Sequence, residues 1–181
     1  MLFAPCGSFA YTMCNMAQSS CGPIETYSNA NGTPNSALLG SSAATTYVSF
    51  AFTGNGDTVK TVYINLKKTN SGQDVQLAIC TNSSGSPSQT CVNADSVISA
   101  TNITSTYDVP IKVNFASGYA TTNATLYWIR LQSLAQSGSN YDYAQFDSSG
   151  GTGVKSSETG ASWSNVDSTA RGYYSVTSCL E

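Results

Sequence analysis

The segment Thr125–Ser133, TLYWIRLQS, is the longest strongly apolar run of this chain that contains neither Gly nor Pro. Its aromatic, β-branched and Leu residues fit the pleated surface of a strand. Successive side chains of a strand point to opposite faces, so Tyr127, Ile129 and Leu131 share one face, which is apolar throughout. The opposite face begins apolar with Trp128 and then turns polar. We therefore expect a central strand of a sandwich, buried on one face and covered at one end of the other.

The same alternation recurs along most of the chain. Apolar residues with a period of two are Val48, Phe50 and Phe52; Val62, Ile64 and Leu66; Val75, Leu77 and Ile79; and Val109, Ile111, Val113 and Phe115. Tyr141–Phe146, the segment around Trp163, and Gly172–Ser178 add further candidate strands. Turn residues separate these runs every 8–12 residues or so, and no stretch has a convincing helical period. We expect an all-β domain over residues 45–181, with about eight strands in two packed antiparallel sheets of jelly-roll order.

Composition narrows the setting of the protein. Only 9% of the 181 residues are charged, against about 25% in ordinary soluble domains, and Ser, Thr, Asn and Gly take their place. This balance is typical of secreted, cell-surface and virion-surface proteins. A net charge of −3 with seven scattered basic residues argues against nucleic acid as a partner. No apolar run reaches 18 residues, so we expect no membrane span.

An even number of cysteines in such a chain favours disulfides and an oxidising compartment. The cysteines are Cys6, Cys14, Cys21, Cys80, Cys91 and Cys179. Cys80 and Cys91 flank a turn-rich segment, and we expect a bridge across its base. Cys179 is then expected to pair with one of the three N-terminal cysteines, and the other two with each other. Free buried thiols are the alternative.

Residues 1–44 show no periodicity and are rich in Ser, Ala, Asn and Gly. We expect an irregular, cysteine-bearing leader there. We expect both its own disulfides and a neighbouring subunit to hold it in place.

Several core patterns resemble those of a known group. These are Val62–Lys68, Val75–Ile79, Tyr127–Leu131, Tyr141–Asp147 and Ser162–Ser164. Together they resemble the "choice-of-anchor" β-sandwich modules of bacterial, metagenomic and phage surface proteins, which are often appended to adhesins, fibres and secreted enzymes. The resemblance covers roughly residues 45–178 and implies a fold and a setting rather than an activity. Related jelly-roll modules sometimes hold structural calcium, and weak candidates for such a site are Asp57, Asp142 and Asp147. No other cofactor is expected.

Catalysis is disfavoured by the residues that the chain lacks. Histidine is absent, which removes the commonest general base and the commonest metal ligand. A Ser-His-Asp or Cys-His site is therefore excluded. The ten carboxylates are scattered, whereas a glycosidase needs two of them flanking the sugar. We expect a protein that is not an enzyme.

Two functions remain open. The first is a structural subunit of a surface assembly such as a fibre, pilus or virion decoration protein, which self-associates through exposed sheet edges or through its leader. The second is a carbohydrate-binding or adhesion module, in which aromatic rings stack on sugar faces beside amide hydrogen-bonders. The candidate ligand residues are Tyr141, Tyr143, Trp163 and Tyr173, with Asn140 and Gln145. Rings that merely cap the sandwich are the alternative explanation.

Overall fold

The computed structural model describes residues 21–27, 34–107, 109–148, 153–172 and 174–180. Within these ranges the chain is all-β, with fourteen strands and two short 3-10 helices, Ala43–Thr45 and Ala100–Asn102. The strands are β1 (Pro23–Tyr27), β2 (Pro34–Leu39), β3 (Tyr47–Thr53), β4 (Thr58–Ile64), β5 (Leu66–Thr69), β6 (Val75–Ser83), β7 (Ser86–Asn93), β8 (Ile111–Ala120), β9 (Leu126–Ser133), β10 (Tyr141–Asp147), β11 (Val154–Ser157), β12 (Ser164–Asp167), β13 (Arg171–Gly172) and β14 (Tyr174–Thr177). The expected number of about eight strands was too low, because short polar strands pair through their backbones without an apolar pattern.

The strands of the described ranges form three antiparallel sheets rather than the two that we expected. The six-stranded sheet has the order β12-β11-β3-β9-β6-β7. The β4 sheet has the order β1-β14-β4-β8, and the β10 sheet has the order β13-β10-β2, with β5 also paired to β10. Asn65 alone separates β4 from β5, and its carbonyl accepts the backbone N–H of Gln145 at 3.1 Å. The two smaller sheets therefore adjoin at Asn65, and the arrangement is consistent with a β-sandwich.

β9 is the central strand that its sequence predicted. It pairs with β3 on one side and with β6 on the other. Tyr127, Ile129 and Leu131 are buried in a core cluster to which all three sheets contribute. On the opposite face Trp128 is fully buried and Arg130 is half-buried, which confirms the expected cover at one end.

The outer face of the six-stranded sheet has a small apolar cluster of its own, formed by Ala51, Ala78, Cys80 and Trp128. The expected Cys80–Cys91 disulfide is present and joins residues directly opposite each other on β6 and β7. We expected a loop between the two cysteines, but the structure shows a hairpin formed by β6 and β7. Its two turn residues, at positions 84 and 85, both have a positive φ, which explains why turn residues dominate that sequence.

The N-terminal region is built into the sheets where the structure describes it. Cys21 is bonded to Cys179, which confirms the prediction that Cys179 pairs with one of the three N-terminal cysteines. β1 pairs with β14, and β2 pairs with β10. The expectation of an irregular leader over 1–44 is therefore wrong for these two strands. Cys6 and Cys14 lie outside the described residues.

Glu25 on β1 links the β4 sheet to the six-stranded sheet. One carboxylate oxygen, Oε2, accepts the backbone N–H of Thr53 on β3 at 2.6 Å, and the other, Oε1, accepts the hydroxyl of Tyr174 on β14 at 2.8 Å. Arg171 lies 3.9 Å from the same Oε1 atom. Within the described ranges no helix is long and apolar enough to cross a membrane.

Candidate functional site: two outer faces

The residues predicted to bind a ligand do not converge on one site. Tyr141 and Tyr143 point outward from the β10 sheet, because Phe146 on the same strand faces the core. Trp163 packs on Tyr47, on the outer face of the six-stranded sheet. The predicted residues are therefore divided between the two opposite faces of the molecule.

Two predicted amides have structural partners. The side-chain carbonyl of Gln145 accepts a hydrogen bond from Asn65 Nδ2 at 2.9 Å. Asn140 contacts the turn between β5 and β6, since its side-chain carbonyl accepts the backbone N–H of Ser71 at 3.4 Å. Tyr173 lies outside the described residues.

Trp163 is held by the loop 158–163, which connects β11 to β12 and lies over the outer face of the six-stranded sheet. Its indole Nε1 donates to the carbonyl of Gly160 at 3.0 Å, and its ring meets Tyr47 edge-on with 6.2 Å between ring centroids. Gln89 on β7, the far edge strand of this sheet, donates to the same Gly160 carbonyl at 2.5 Å. Side chains from both edges of this sheet thus bond to the Gly160 carbonyl.

A cavity of about 330 Å³ lies between this loop and the β6–β7 hairpin. Its lining is Ser83, Ser84, Ser86, Pro87, Ser88, Gln89, Ala161 and Trp163. The hydroxyls of Ser83, Ser84 and Ser86 have no hydrogen-bond partner among the described residues, whereas Ser88 bonds to Thr81 at 2.6 Å. We call this space the Trp163 cavity. It combines an aromatic wall with free hydroxyl groups.

Trp163 was predicted from the sequence as a ligand residue, but the serines of the hairpin were not. The serines follow a predicted strand, and their only sequence signal was their density between two cysteines. The segment was interpreted only as turn-rich, and no binding role was expected for its serines. The hydrogen bond between this hairpin and the 158–163 loop joins residues 71 positions apart, which no local pattern reveals.

The opposite face carries a group of tyrosines around a lysine. The ammonium of Lys67 lies 4.9 Å from the ring centroids of both Tyr107 and Tyr143. Tyr141 meets Tyr143 edge-on at 5.4 Å, and their hydroxyls are 3.4 Å apart. The hydrogen bond that the hydroxyl of Tyr143 donates to that of Tyr141, together with burial, raises the pKa of Tyr143. Burial raises the pKa of Tyr107 to about 12. Tyr107 and Tyr143 therefore remain neutral near pH 7. We call this surface, formed by Lys67, Tyr107, Tyr141 and Tyr143, the tyrosine face.

The calcium candidates do not come together. Asp142 and Asp147 are fully buried at opposite ends of β10, about 17 Å apart along an extended strand, so they cannot share one ion. Asp57 lies in an exposed turn, where its side chain accepts Asn55 Nδ2 at 2.9 Å. In the part of the chain that the structure describes, no three Asp, Glu, Cys or His residues form a group that could hold a metal.

Comparison of the chain with models of protein families finds no match, and comparison with curated proteins finds none either. A functional assignment therefore depends on the chemistry of the two outer faces. The Trp163 cavity offers an aromatic wall with hydroxyls that have no partner among the described residues, and the tyrosine face offers a cation.

Proposed function

We propose that this protein is a non-catalytic carbohydrate-binding module, and that it binds a neutral sugar in the Trp163 cavity. The observation that carries the proposal is the pairing of an aromatic wall with three serine hydroxyls that have no partner among the described residues. A pyranose presents the matching chemistry, because its C–H face stacks on an aromatic ring and its hydroxyls both donate and accept. A cavity of about 330 Å³ lies at the small end of the usual range for ligand sites, which suits one or two sugar units.

The setting that we propose is extracellular, on a cell or virion surface. Two disulfides support an oxidising compartment. The low charge and abundant hydroxyl and amide side chains agree with a surface-displayed protein. We also propose that the sheets follow jelly-roll order and that the chain is a module of the choice-of-anchor kind.

The test is a glycan array on the full chain, followed by calorimetric titration of any neutral glycan that binds. Trp163→Ala should weaken binding at least about tenfold, the factor that corresponds to losing one stacking contact. Ser86→Ala should weaken it several-fold, because a sugar hydroxyl loses its partner. Tyr143→Ala, which removes an aromatic ring from the opposite face, is the matched control and should leave affinity unchanged.

Stability must be measured beside affinity, because Trp163 also packs on Tyr47. The temperature of thermal unfolding, compared between Trp163→Ala and wild type, shows whether weaker binding comes from the lost ligand contact or from a less stable fold. Ser86→Ala provides a second measurement, since Ser86 has no partner to lose within the described residues. Unchanged affinity in both cavity variants, or an array without any neutral ligand, would reject the proposal.

A second candidate function is a structural subunit of a surface assembly. Two observations favour it: β7 and β12 are the edge strands of the six-stranded sheet, and they expose Val92 and Val166. Unpaired strand edges are templates for strand addition by another copy. Size-exclusion chromatography with light scattering should then show an oligomer that Val166→Lys or Val92→Lys dissociates. A monomer at all concentrations would exclude assembly of this chain through its own edges.

A further inference from the structure

Lys67 is unusual among the lysines of this chain in where its charge is held. Lys67 lies opposite Tyr143 in the pairing of β5 with β10 and points outward, since its neighbour Leu66 is fully buried. Tyr107 also lies beside this ammonium and is fixed by a hydrogen bond from its hydroxyl to Ser36 Oγ at 2.8 Å. The ammonium thus contacts two rings, at 4.9 Å from each centroid.

The donors of this ammonium are unused within the described residues. Lys60, Lys68 and Lys155 each donate to an oxygen atom at 2.7–3.0 Å. Lys67 has neither a hydrogen bond nor an ion pair with any described residue. Ring faces attract a cation through their quadrupole, but the two ring contacts leave its N–H groups free for a ligand that accepts hydrogen bonds.

We propose that the tyrosine face is a second binding site, and that it takes the anionic group of an acidic polysaccharide. A carboxylate or sulfate oxygen would accept the free N–H groups of Lys67, and charge-assisted hydrogen bonds are the stronger kind. The edge-on ring of Tyr141 next to Tyr143 extends the surface beside the cation, and a sugar ring stacks there. The rings hold Lys67 in place before binding, so less side-chain entropy is lost when a ligand arrives.

The net charge of the chain indicates that an acidic sugar must be bound through a local contact. A net charge of −3 repels anionic polymers over long distances. Capture of an acidic sugar therefore has to come from a local contact, and Lys67 supplies one. The site lies on the face opposite the Trp163 cavity and does not depend on the function proposed for that cavity.

The experiment measures binding of the full chain to oligogalacturonate, to its methyl ester, and to dextran sulfate with neutral dextran as its reference. Wild-type protein should bind the carboxylated oligomer and lose affinity when the carboxylates are esterified. Lys67→Gln should weaken binding at least about tenfold, as expected for loss of a charge-assisted hydrogen bond. Binding of dextran sulfate but not of oligogalacturonate would assign sulfate as the anion.

Lys112→Gln is the matched control, because it removes the same charge from an exposed position on β8 in the β4 sheet. It should leave the affinity unchanged. An equal loss in Lys67→Gln and Lys112→Gln would mean non-specific attraction and would overturn the proposal. Failure of both anionic polymers to bind the wild-type chain would also overturn it, whatever happens in the Trp163 cavity.

Discussion

Asp142 should make the stability of this protein fall as the pH rises from about 4 to above 6. Its side chain is fully buried on the inward face of β10. Oδ2 accepts the backbone N–H of Gln73 at 3.0 Å, while Oδ1 has no partner among the residues that the structure describes. Burial raises the pKa of Asp142 from its ordinary value of 3.8 to about 6, although the hydrogen bond from Gln73 and the charge of Lys68 act in the opposite direction. From the sequence, Asp142 was considered only as a weak candidate for a calcium site, and its burial was not predicted.

The sign of the effect follows from which state holds the proton. Between pH 4 and pH 6 the folded chain keeps the proton on Asp142, whereas the unfolded chain releases it. The neutral acid therefore favours folding at low pH, and this advantage disappears as the pH passes about 6. One pKa unit corresponds to about 1.4 kcal/mol, so the difference between pH 4 and pH 7.5 is at most about 3 kcal/mol.

Asp142→Asn isolates this contribution, because asparagine has the same shape and its carbonyl can still accept the N–H of Gln73. Burial of its amide NH₂ destabilises the fold by the same amount at every pH, because the amide does not titrate. The free energy of unfolding, measured by urea titration with tryptophan fluorescence, should therefore rise in the variant relative to wild type by up to about 3 kcal/mol between pH 4 and pH 7.5. Other titrating groups cancel in that difference. A variant-minus-wild-type difference that is the same at both pH values would refute the burial of a costly carboxylate at this position.

Two further changes test how the fold is held together. Replacing Cys21 and Cys179 by alanine opens a loop with a sequence separation of 158 residues, and chain entropy predicts a loss of about 5 kcal/mol in unfolding free energy, measured in urea. A loss below about 1 kcal/mol would mean that the paired strands, rather than the bridge, hold the termini. Gly172→Ala places a Cβ against the ring of Phe50 and should cost about 1–3 kcal/mol. Gly138→Ala, where no atom lies within 4 Å of the added Cβ, should cost nothing measurable, and equal effects of the two alanines would contradict the close packing.

Alternation along the chain was sufficient to predict the strands that form the core. Phe50 on β3, Leu77 on β6 and Ile129 on β9 are buried as expected, because each strand has one apolar face. β1, β2 and β7 were missed because little of their sequence alternates. They pair through backbone hydrogen bonds at sheet edges, and the disulfides Cys21–Cys179 and Cys80–Cys91 tie two of these strands to their partners.

The candidate site could be predicted only in its residue types. Aromatic residues between positions 140 and 174 are neighbours in sequence, and we expected them to be neighbours in space. β10, however, belongs to one sheet and the β11–β12 hairpin to another, so Tyr143 and Trp163 lie on opposite faces. Sheet membership depends on which distant strand each segment pairs with. Lys67 and Tyr107 were not considered at all, because their contact brings together segments 40 residues apart.

The two proposed sites differ in how they are supported, and binding should reveal that difference. The Trp163 cavity lies between a loop and a hairpin that meet at the hydrogen bond from Gln89 to Gly160, so a sugar in the cavity would contact both segments. Opening of the 158–163 loop would then require release of the ligand, and bound sugar should protect the amides of this loop from hydrogen exchange. Lys67, in contrast, lies on a strand that is already paired with β10. An anion bound there has few segments left to order. Its affinity should therefore depend on salt concentration, but its binding should not change the hydrogen exchange of nearby backbone amides.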